Sequence, residues 1–186
     1  MPVYKVEFDR KPEFSKEPVQ NGDILSLGVL WAGKVTEGNE DEKPEKLKYE
    51  KNTYIPDYGK NGLAVNKNCH AYFWDDSREI MCWDACFEKA GQYSATLVHA
   101  HLWAETRNNM CDFTLTVNGT TNAVNMQEEK STYSISRTTN HFNTRICHDA
   151  GVFNIEKAGK YRILLKRSKK GESIPVTNIE FKKLPF

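Results

Sequence analysis

Short segments of alternating apolar and polar residues, separated by turn signals, constrain the fold of this chain more than any other feature. Side chains in a strand point alternately to opposite faces, so this two-residue period predicts strands that bury one face. No segment of helical length keeps a 3.6-residue period between capping residues. We therefore predict a single all-β domain over residues 1–186, a jelly-roll β-sandwich. The predicted strands are 3–8, 24–31, 63–65, 70–74, 79–87, 92–103, 111–118, 121–126, 131–136, 144–155, 160–167 and 175–183.

Two stretches between the predicted strands differ from the others. Asn118-Gly119 separates TLTV from TTNAVN, and both residues tolerate positive φ, which predicts a two-residue hairpin. Residues 36–61 are charged and rich in Pro, Gly and Asn. We interpret them as a charged surface excursion from the sandwich rather than as a linker between domains.

One phrase occurs twice, as Glu-Lys-Ala-Gly-x-Tyr at residues 88–93 and again at 156–161. In both copies the glycine provides a permissive backbone for a turn, and the tyrosine begins an alternating strand. The flanking residues do not repeat, which argues against a tandem array. The two copies therefore predict similar entries into two strands of one sandwich.

The order of these phrases resembles a known family. A Trp74-Asp75-Asp76 turn precedes MCWDACFEKAGQY, a hairpin ends in VNG, and FNIEKAGKYRILLKRSKKGESIPVTNIEFKKLP follows. Over residues 62–186 this order is similar to the galactose-binding-like β-sandwich of carbohydrate-binding modules. Such modules are appended to fucosidases, sulfatases and other glycan-degrading enzymes. The resemblance implies a galactose-binding-like fold and non-catalytic carbohydrate binding, as a lectin or stand-alone module with a glycan as partner.

The resemblance also implies particular site residues. The Asn of the final "N-I" phrase helps to bind sugar in several such modules, and Asn178 in VTNIEF matches that position. Many relatives carry a Trp in the segment before the second phrase, where this chain has TTNHFNTRI with His141 near the expected place. The family often holds a structural calcium ion, and its ligands cannot be traced to particular acids in this chain.

The sharpest local motif is VHAHLWAE at residues 98–105. Its strand alternation places His99, His101, Trp103 and Glu105 on one face, and Val98, Ala100, Leu102 and Ala104 on the other, which we take as the core face. A Trp can stack on the apolar face of a sugar ring while His, Glu and the following Asn108 bond its hydroxyls. Trp74 lies in a turn and is a further exposed candidate. The alternative is that the polar stripe is covered by the N-terminal part of the chain.

Two other functions compete with sugar binding. His-x-His-x3-Glu resembles the first motif of cupins, so His99, His101 and Glu105 are candidate ligands of a transition metal, with His141 or His148 as a third histidine. The second cupin motif is absent. The last alternative is a protein-interaction sandwich that has kept the fold and lost the sugar site, for which the His141 departure is the best support.

Composition and missing motifs argue against other classes. The chain lacks a Gly-rich phosphate loop and a GxSxG elbow, so we expect no enzyme activity. A net charge of +1 predicts no nucleic-acid partner, and no apolar run reaches the length that membrane insertion needs. The N-terminus has no signal pattern, which predicts a cytoplasmic protein if the chain is complete and a secreted one if a signal peptide was removed.

The number and positions of the cysteines and tryptophans predict their pairing and burial. Five cysteines leave at least one unpaired, and Cys82 and Cys86 in one extended strand lie too far apart for a disulfide. We expect buried free thiols. Trp31 and Trp83 both fall in predicted strands, and we expect both to be buried.

Overall fold

A computed structural model describes residues 18, 20–50, 63–66, 69–72, 78–100, 110–135, 144–167 and 174–185. Its strands are β1 (Ile24–Gly28), β2 (Gly33–Thr36), β3 (Glu45–Lys46), β4 (Lys48–Glu50), β5 (Ala64–Asn66), β6 (Ala71–Tyr72), β7 (Glu79–Phe87), β8 (Gly91–Ala100), β9 (Phe113–Val117), β10 (Thr120–Val124), β11 (Ser131–Ser134), β12 (Thr144–Ile155), β13 (Gly159–Arg167) and β14 (Val176–Lys183). A single 3₁₀ turn, Val29–Trp31, is the helical element of these described ranges. The predicted strand at 3–8 lies outside them.

The strands form two sheets. In the described part of the chain, eight strands lie in the order β11-β12-β8-β14-β6-β5-β4, with β1 also paired to β14. Six strands form the second sheet in the order β10-β9-β13-β7-β2-β3. The apolar faces of the two sheets pack against each other, so the predicted all-β sandwich is confirmed. No helix among the described residues is long and apolar enough to cross a membrane.

Strand alternation decides which residues form the core between the sheets. On β7, Met81, Trp83, Ala85 and Phe87 belong to the main buried cluster, and β8 contributes Tyr93, Ala95 and Leu97, while the residues between them point outward. Trp83 is buried, as expected, and its indole N–H donates to the Gly28 carbonyl oxygen at 3.0 Å. This bond ties β7 of the six-stranded sheet to the end of β1 in the other sheet.

The turns agree with the sequence signals. Asn118 and Gly119 have φ of 50° and 77° between β9 and β10, so the predicted two-residue hairpin is confirmed. Each copy of the doubled phrase leads into a strand, β8 and β13. In each copy the tyrosine hydroxyl donates to the carbonyl of the lysine four residues earlier, at 2.8 Å from Tyr93 to Lys89 and at 2.8 Å from Tyr161 to Lys157.

The described part of the charged excursion lies against the outer face of the six-stranded sheet. The guanidinium of Arg162 on β13 donates to Asp84 at 2.8 and 3.0 Å, and also to the carbonyls of Glu40 and Glu42. The hydrogen bonds between Arg162 and Asp84 lower the pKa of Asp84 and raise that of Arg162. Lys166 adds an ion pair with Glu37.

All five cysteines carry free thiols. Cys82, Cys111 and Cys147 are buried, Cys86 is half-buried and Cys69 is exposed. Burial raises the pKa of Cys82 to about 11, which keeps this thiol protonated and unreactive at neutral pH.

Candidate functional site

Asn178 lies in β14 on the outer face of the eight-stranded sheet. Its antiparallel partners are Val98 on β8 and Gly28 on β1, whereas the next residue, Ile179, is buried in the core. The Asn178 side-chain nitrogen donates to Glu180 Oε1 at 3.0 Å. Because a carboxylate only accepts hydrogen bonds, this contact decides which end of the amide is the nitrogen.

The other end of the Asn178 amide faces Thr177. The Thr177 hydroxyl lies 2.9 Å from Asn178 Oδ1 and 3.0 Å from the Val98 carbonyl, and it shares its single proton between these two acceptors. The amide is therefore held on both sides. Within the described part of the chain, these bonds leave one N–H and one oxygen lone pair of Asn178 for a further partner.

Several strands of the eight-stranded sheet end along one edge of it, and the ends of β8 and β14 at this edge lie two residues from the Asn178–Val98 pair. Ala100 ends β8 next to Arg145, Ser134 ends β11 opposite Thr144, and Val176 begins β14 opposite both His99 and Ala71. We call this edge the Ala100 end. The connections at 73–77, 101–109 and 136–143 all leave from strands that terminate there.

Six of the candidate ligand residues fall in those connections and lie outside the described residues. They are Trp74, His101, Trp103, Glu105, Asn108 and His141. Asn178 and His99 are the two candidates whose surroundings the structure describes.

His99 lies inside the sandwich, not on an outward stripe. The residues of β8 that face the core are Tyr93, Ala95 and Leu97, and His99 continues this alternation and is fully buried. The prediction that Val98 and Ala100 form the core face is therefore wrong, although both are also buried on the opposite side of the sheet. Residues 97–100 are all buried, whichever face of the sheet their side chains point to. Their own pattern therefore does not show which face is the core face.

His99 pairs with His148 of the neighbouring strand β12. Their Nε2 atoms are 3.0 Å apart, and the ring planes differ by 13°. His99 Nδ1 lies 2.6 Å from the Ala100 carbonyl, and His148 Nδ1 lies 2.9 Å from that of Glu128. Burial lowers the pKa of His148. Among the described residues, no group of three or more His, Cys, Asp or Glu side chains is arranged to hold a metal ion.

Trp31 is exposed, which corrects the expectation that it is buried. The strand β1 ends at Gly28 and the 3₁₀ turn directs Val29 into the core, so that Leu30 and Trp31 are 61 % and 48 % exposed. The indole Cδ1 of Trp31 lies 3.8 Å from the position that a Cβ on Gly28 would occupy. The mostly apolar run ILSLGVLW hid this turn, and Gly28 within it is the one signal that could have revealed it.

A cleft lies on the outer face of the six-stranded sheet. It is a cleft of about 520 Å³ between the Asn118-Gly119 hairpin and the excursion, lined by Glu40, Asp41, Thr116, Lys157, Tyr161 and Leu164 among others. Backbone N–H groups of Gly38 and Glu40 lower the pKa of the Glu40 carboxyl. The sequence did not predict this cleft, and neither Asn178 nor His99 lines it.

Comparisons with known proteins return structures only. No family model matches this chain, and no curated protein matches it. The chain is similar to an alpha-L-fucosidase from Vibrio sp. strain EJY3 at 11% identity and a TM-score of 0.49, over 90% of this chain. It spans about a quarter, 24%, of that fucosidase. It is also similar to the CBM35 from Cellvibrio japonicus Abf62 at 14% identity and a TM-score of 0.42, over 85% of this chain and 91% of the other.

Proposed function

We propose that this protein binds carbohydrate without catalysing a reaction on it, at the Ala100 end of the eight-stranded sheet. The observation that carries the proposal is the Asn178 amide. It is fixed by Thr177 and Glu180 on the outer face, and it keeps a donor and an acceptor for a ligand. A pre-oriented amide of this kind matches the alternating hydroxyls of a sugar, because each sugar hydroxyl both donates and accepts.

The candidate ligand residues extend this site. Trp103 would stack on the sugar ring, with His101, Glu105 and Asn108 of the same connection supplying hydrogen bonds. Trp74 and His141 belong to the two other connections that leave from the same end. His99 lies outside this site, because it is fully buried inside the sandwich and faces His148.

A glycan array with the intact protein tests the proposal. We expect binding to a restricted set of glycans, and Asn178→Ala should weaken it about fivefold or more, because one or two hydrogen bonds of ~1 kcal/mol each are lost. Asn154→Ala is the matched control, since Asn154 is an exposed asparagine at the opposite end of β12 in the same sheet. Folded protein that binds no glycan would contradict the proposal.

Transition-metal binding is a second candidate, supported by the His99–His148 contact. Both Nδ1 atoms face backbone carbonyls and both Nε2 atoms converge, which is how metal-bound histidines are commonly oriented. His101 and Glu105 would complete the ligand set, as a cupin-like motif implies. Elemental analysis of untagged protein purified without chelators tests this candidate; a stoichiometric transition metal supports it, and protein free of metal refutes it.

A further inference from the structure

His99 and His148 point the lone pairs of their Nε2 atoms at each other. In each ring Nδ1 lies against a backbone carbonyl, at 2.6 Å for His99 and 2.9 Å for His148. A carbonyl oxygen only accepts, so the proton of each neutral imidazole is on Nδ1 and the lone pair is on Nε2. The Nε2 atoms are 3.0 Å apart, the ring planes differ by 13° and the ring centroids are 5.1 Å apart. The two lone pairs therefore lie close to one line.

Two lone pairs at this distance repel each other unless a cation lies between them. Both imidazoles are fully buried, so water does not screen the repulsion. A proton fits the gap, because 3.0 Å is an ordinary hydrogen-bond distance. A metal ion is the other kind of cation that an imidazole lone pair binds. The negative charge of the Glu129 carboxylate favours positive charge on His148.

The number of ligands decides which metal ion fits this pair. Among the described residues, no group of three or more His, Cys, Asp or Glu side chains is arranged to hold a metal ion. Zinc takes four ligands, and calcium and magnesium take six or more. Copper and silver ions with a single positive charge accept two ligands in one line, and imidazole is a good ligand for copper. A monovalent ion in place of the proton leaves the buried charge unchanged, whereas a divalent ion adds a second charge to a dry site.

We propose that His99 and His148 form a two-coordinate site for a soft monovalent cation, Cu(I), with one Nε2 on each side of the ion. The ion replaces the proton between the rings, and one proton is released for each ion that binds. This inference goes beyond carbohydrate binding. It also differs from the cupin-like candidate, because it needs neither His101 nor Glu105.

The rings must move apart when the ion binds. Two metal–nitrogen bonds of about 2 Å in one line need nitrogens ~4 Å apart, which is about 1 Å more than the separation in the structure. The β-bulge of β12 follows Asp149, the neighbour of His148. A bulge interrupts the ladder of backbone hydrogen bonds, so β12 resists a shift of His148 less than a regular strand would.

Titration with Ag(I), which has the same charge and linear geometry as Cu(I) and is stable in air, tests the site. We expect the nitrogen-15 resonances of His99 Nε2 and His148 Nε2 to shift together until one equivalent has been added, and zinc to leave them in place. X-ray absorption of Cu(I)-loaded protein under anaerobic conditions should show two nitrogen ligands at about 2 Å. All samples carry Cys69→Ser, because an exposed thiol binds the same ions.

Variants identify the ligands. His148→Gln should lower the affinity for Ag(I) about a hundredfold or more, because loss of a residue that merely supports a metal ligand already costs up to ~100-fold. Two matched controls should bind like the parent protein: His70→Gln removes another buried histidine, and Cys147→Ser removes the buried thiol next to His148. Circular dichroism and thermal unfolding confirm that each variant is folded.

The outcomes distinguish this site from its alternatives. If a change of pH shifts the Nε2 resonances and Ag(I) does not, the pair holds a proton only and the site is refuted. If Cys147→Ser loses affinity and His148→Gln does not, a thiol binds the ion and the site is refuted as well. Glu105→Ala should leave the affinity unchanged, and a loss in this variant would overturn the two-coordinate site in favour of the cupin-like ligand set. The glycan array is independent of these results, so carbohydrate binding and this site fail separately.

Discussion

The imidazole rings of His99 and His148 meet end to end inside the sandwich, with Nε2 atoms 3.0 Å apart. The ring centroids are 5.1 Å apart, close to the Nε2–Nε2 distance plus a ring radius on each side. Both Nδ1 atoms face carbonyl oxygens, which only accept, so each Nδ1 carries a proton. A hydrogen bond between the two Nε2 atoms then needs a third proton on the pair. Burial opposes the positive charge that this proton brings.

Replacement of one histidine of this pair should cost stability. His148→Leu introduces an apolar side chain of similar size and removes the contact with His99 and the bond to the Glu128 carbonyl, so we expect a loss of about 1–3 kcal/mol in the free energy of unfolding. Urea denaturation measures it. Asp149→Ala, at the next and exposed position of β12, is the control and should change stability by less than about 1 kcal/mol. Equal losses in both variants would contradict a structural role for the pair.

Because of His70, we expect the folded protein to lose stability in mild acid. Burial, assisted by the positive charge of Arg145, lowers the pKa of His70 to about 4. In the unfolded chain a histidine titrates near ~6.5, so the folded protein binds fewer protons between these values. The stability that His70 contributes is fully present above its pKa in the unfolded chain, and it is lost as the pH falls towards its pKa in the folded protein. At pH 4.5 the loss relative to pH 7.5 should be about 2–3 kcal/mol.

Urea unfolding at pH 7.5 and pH 4.5 checks the His70 prediction. The difference between the two pH values should shrink in His70→Gln, which cannot titrate. If the variant keeps the full acid sensitivity of the wild type, other groups are responsible and the assignment to His70 is wrong.

The hydrogen bonds of Arg162 should hold the charged excursion against the six-stranded sheet. Its guanidinium binds Asp84 and the carbonyls of Glu40 and Glu42, so Arg162→Ala removes the bonds from this side chain to both carbonyls. We expect faster amide hydrogen exchange in residues 37–46 and a stability loss of about 1–3 kcal/mol. Lys157→Ala, a cation on the rim of the same cleft, is the control. Unchanged exchange in Arg162→Ala would show that other contacts hold the excursion.

The regular part of the fold was predictable because alternation and turn residues agree there. The bounds of β7 and β12 match the predicted 79–87 and 144–155, since each strand is long, alternates and is bounded by turns. The Asn118-Gly119 hairpin followed from backbone preference alone. These features depend on residues that are close together in the chain, so a single sequence was enough to predict them.

The errors at Trp31 and His99 have a physical cause. In ILSLGVLW every residue is apolar or small, so the sequence could not show that β1 ends at Gly28 and that a 3₁₀ turn exposes Trp31. For His99, the polar residues Gln92, Ser94 and Thr96 show which face of β8 points away from the core, and the buried residues 97–100 do not.

Contacts between strands that are distant in the chain could not be predicted from the sequence. His99 meets His148 across 49 residues of chain, and Gly28 lies opposite Asn178 only because β1 pairs with β14. Both depend on register between distant strands, and no local pattern encodes that register.

The two copies of the doubled phrase should differ in their contribution to stability. Tyr93 is fully buried and its hydroxyl contacts Gln20 Oε1 at 2.9 Å as well as the Lys89 carbonyl, whereas the hydroxyl of the half-buried Tyr161 bonds the Lys157 carbonyl. Tyr93→Phe should therefore cost about 1–2 kcal/mol, and Tyr161→Phe about 0.5 kcal/mol. Chemical denaturation of both variants measures the difference. Phe87 contacts both rings edge-on, at 5.0 and 5.6 Å, and both substitutions keep these contacts, so a larger loss in Tyr161→Phe would contradict the ranking by burial.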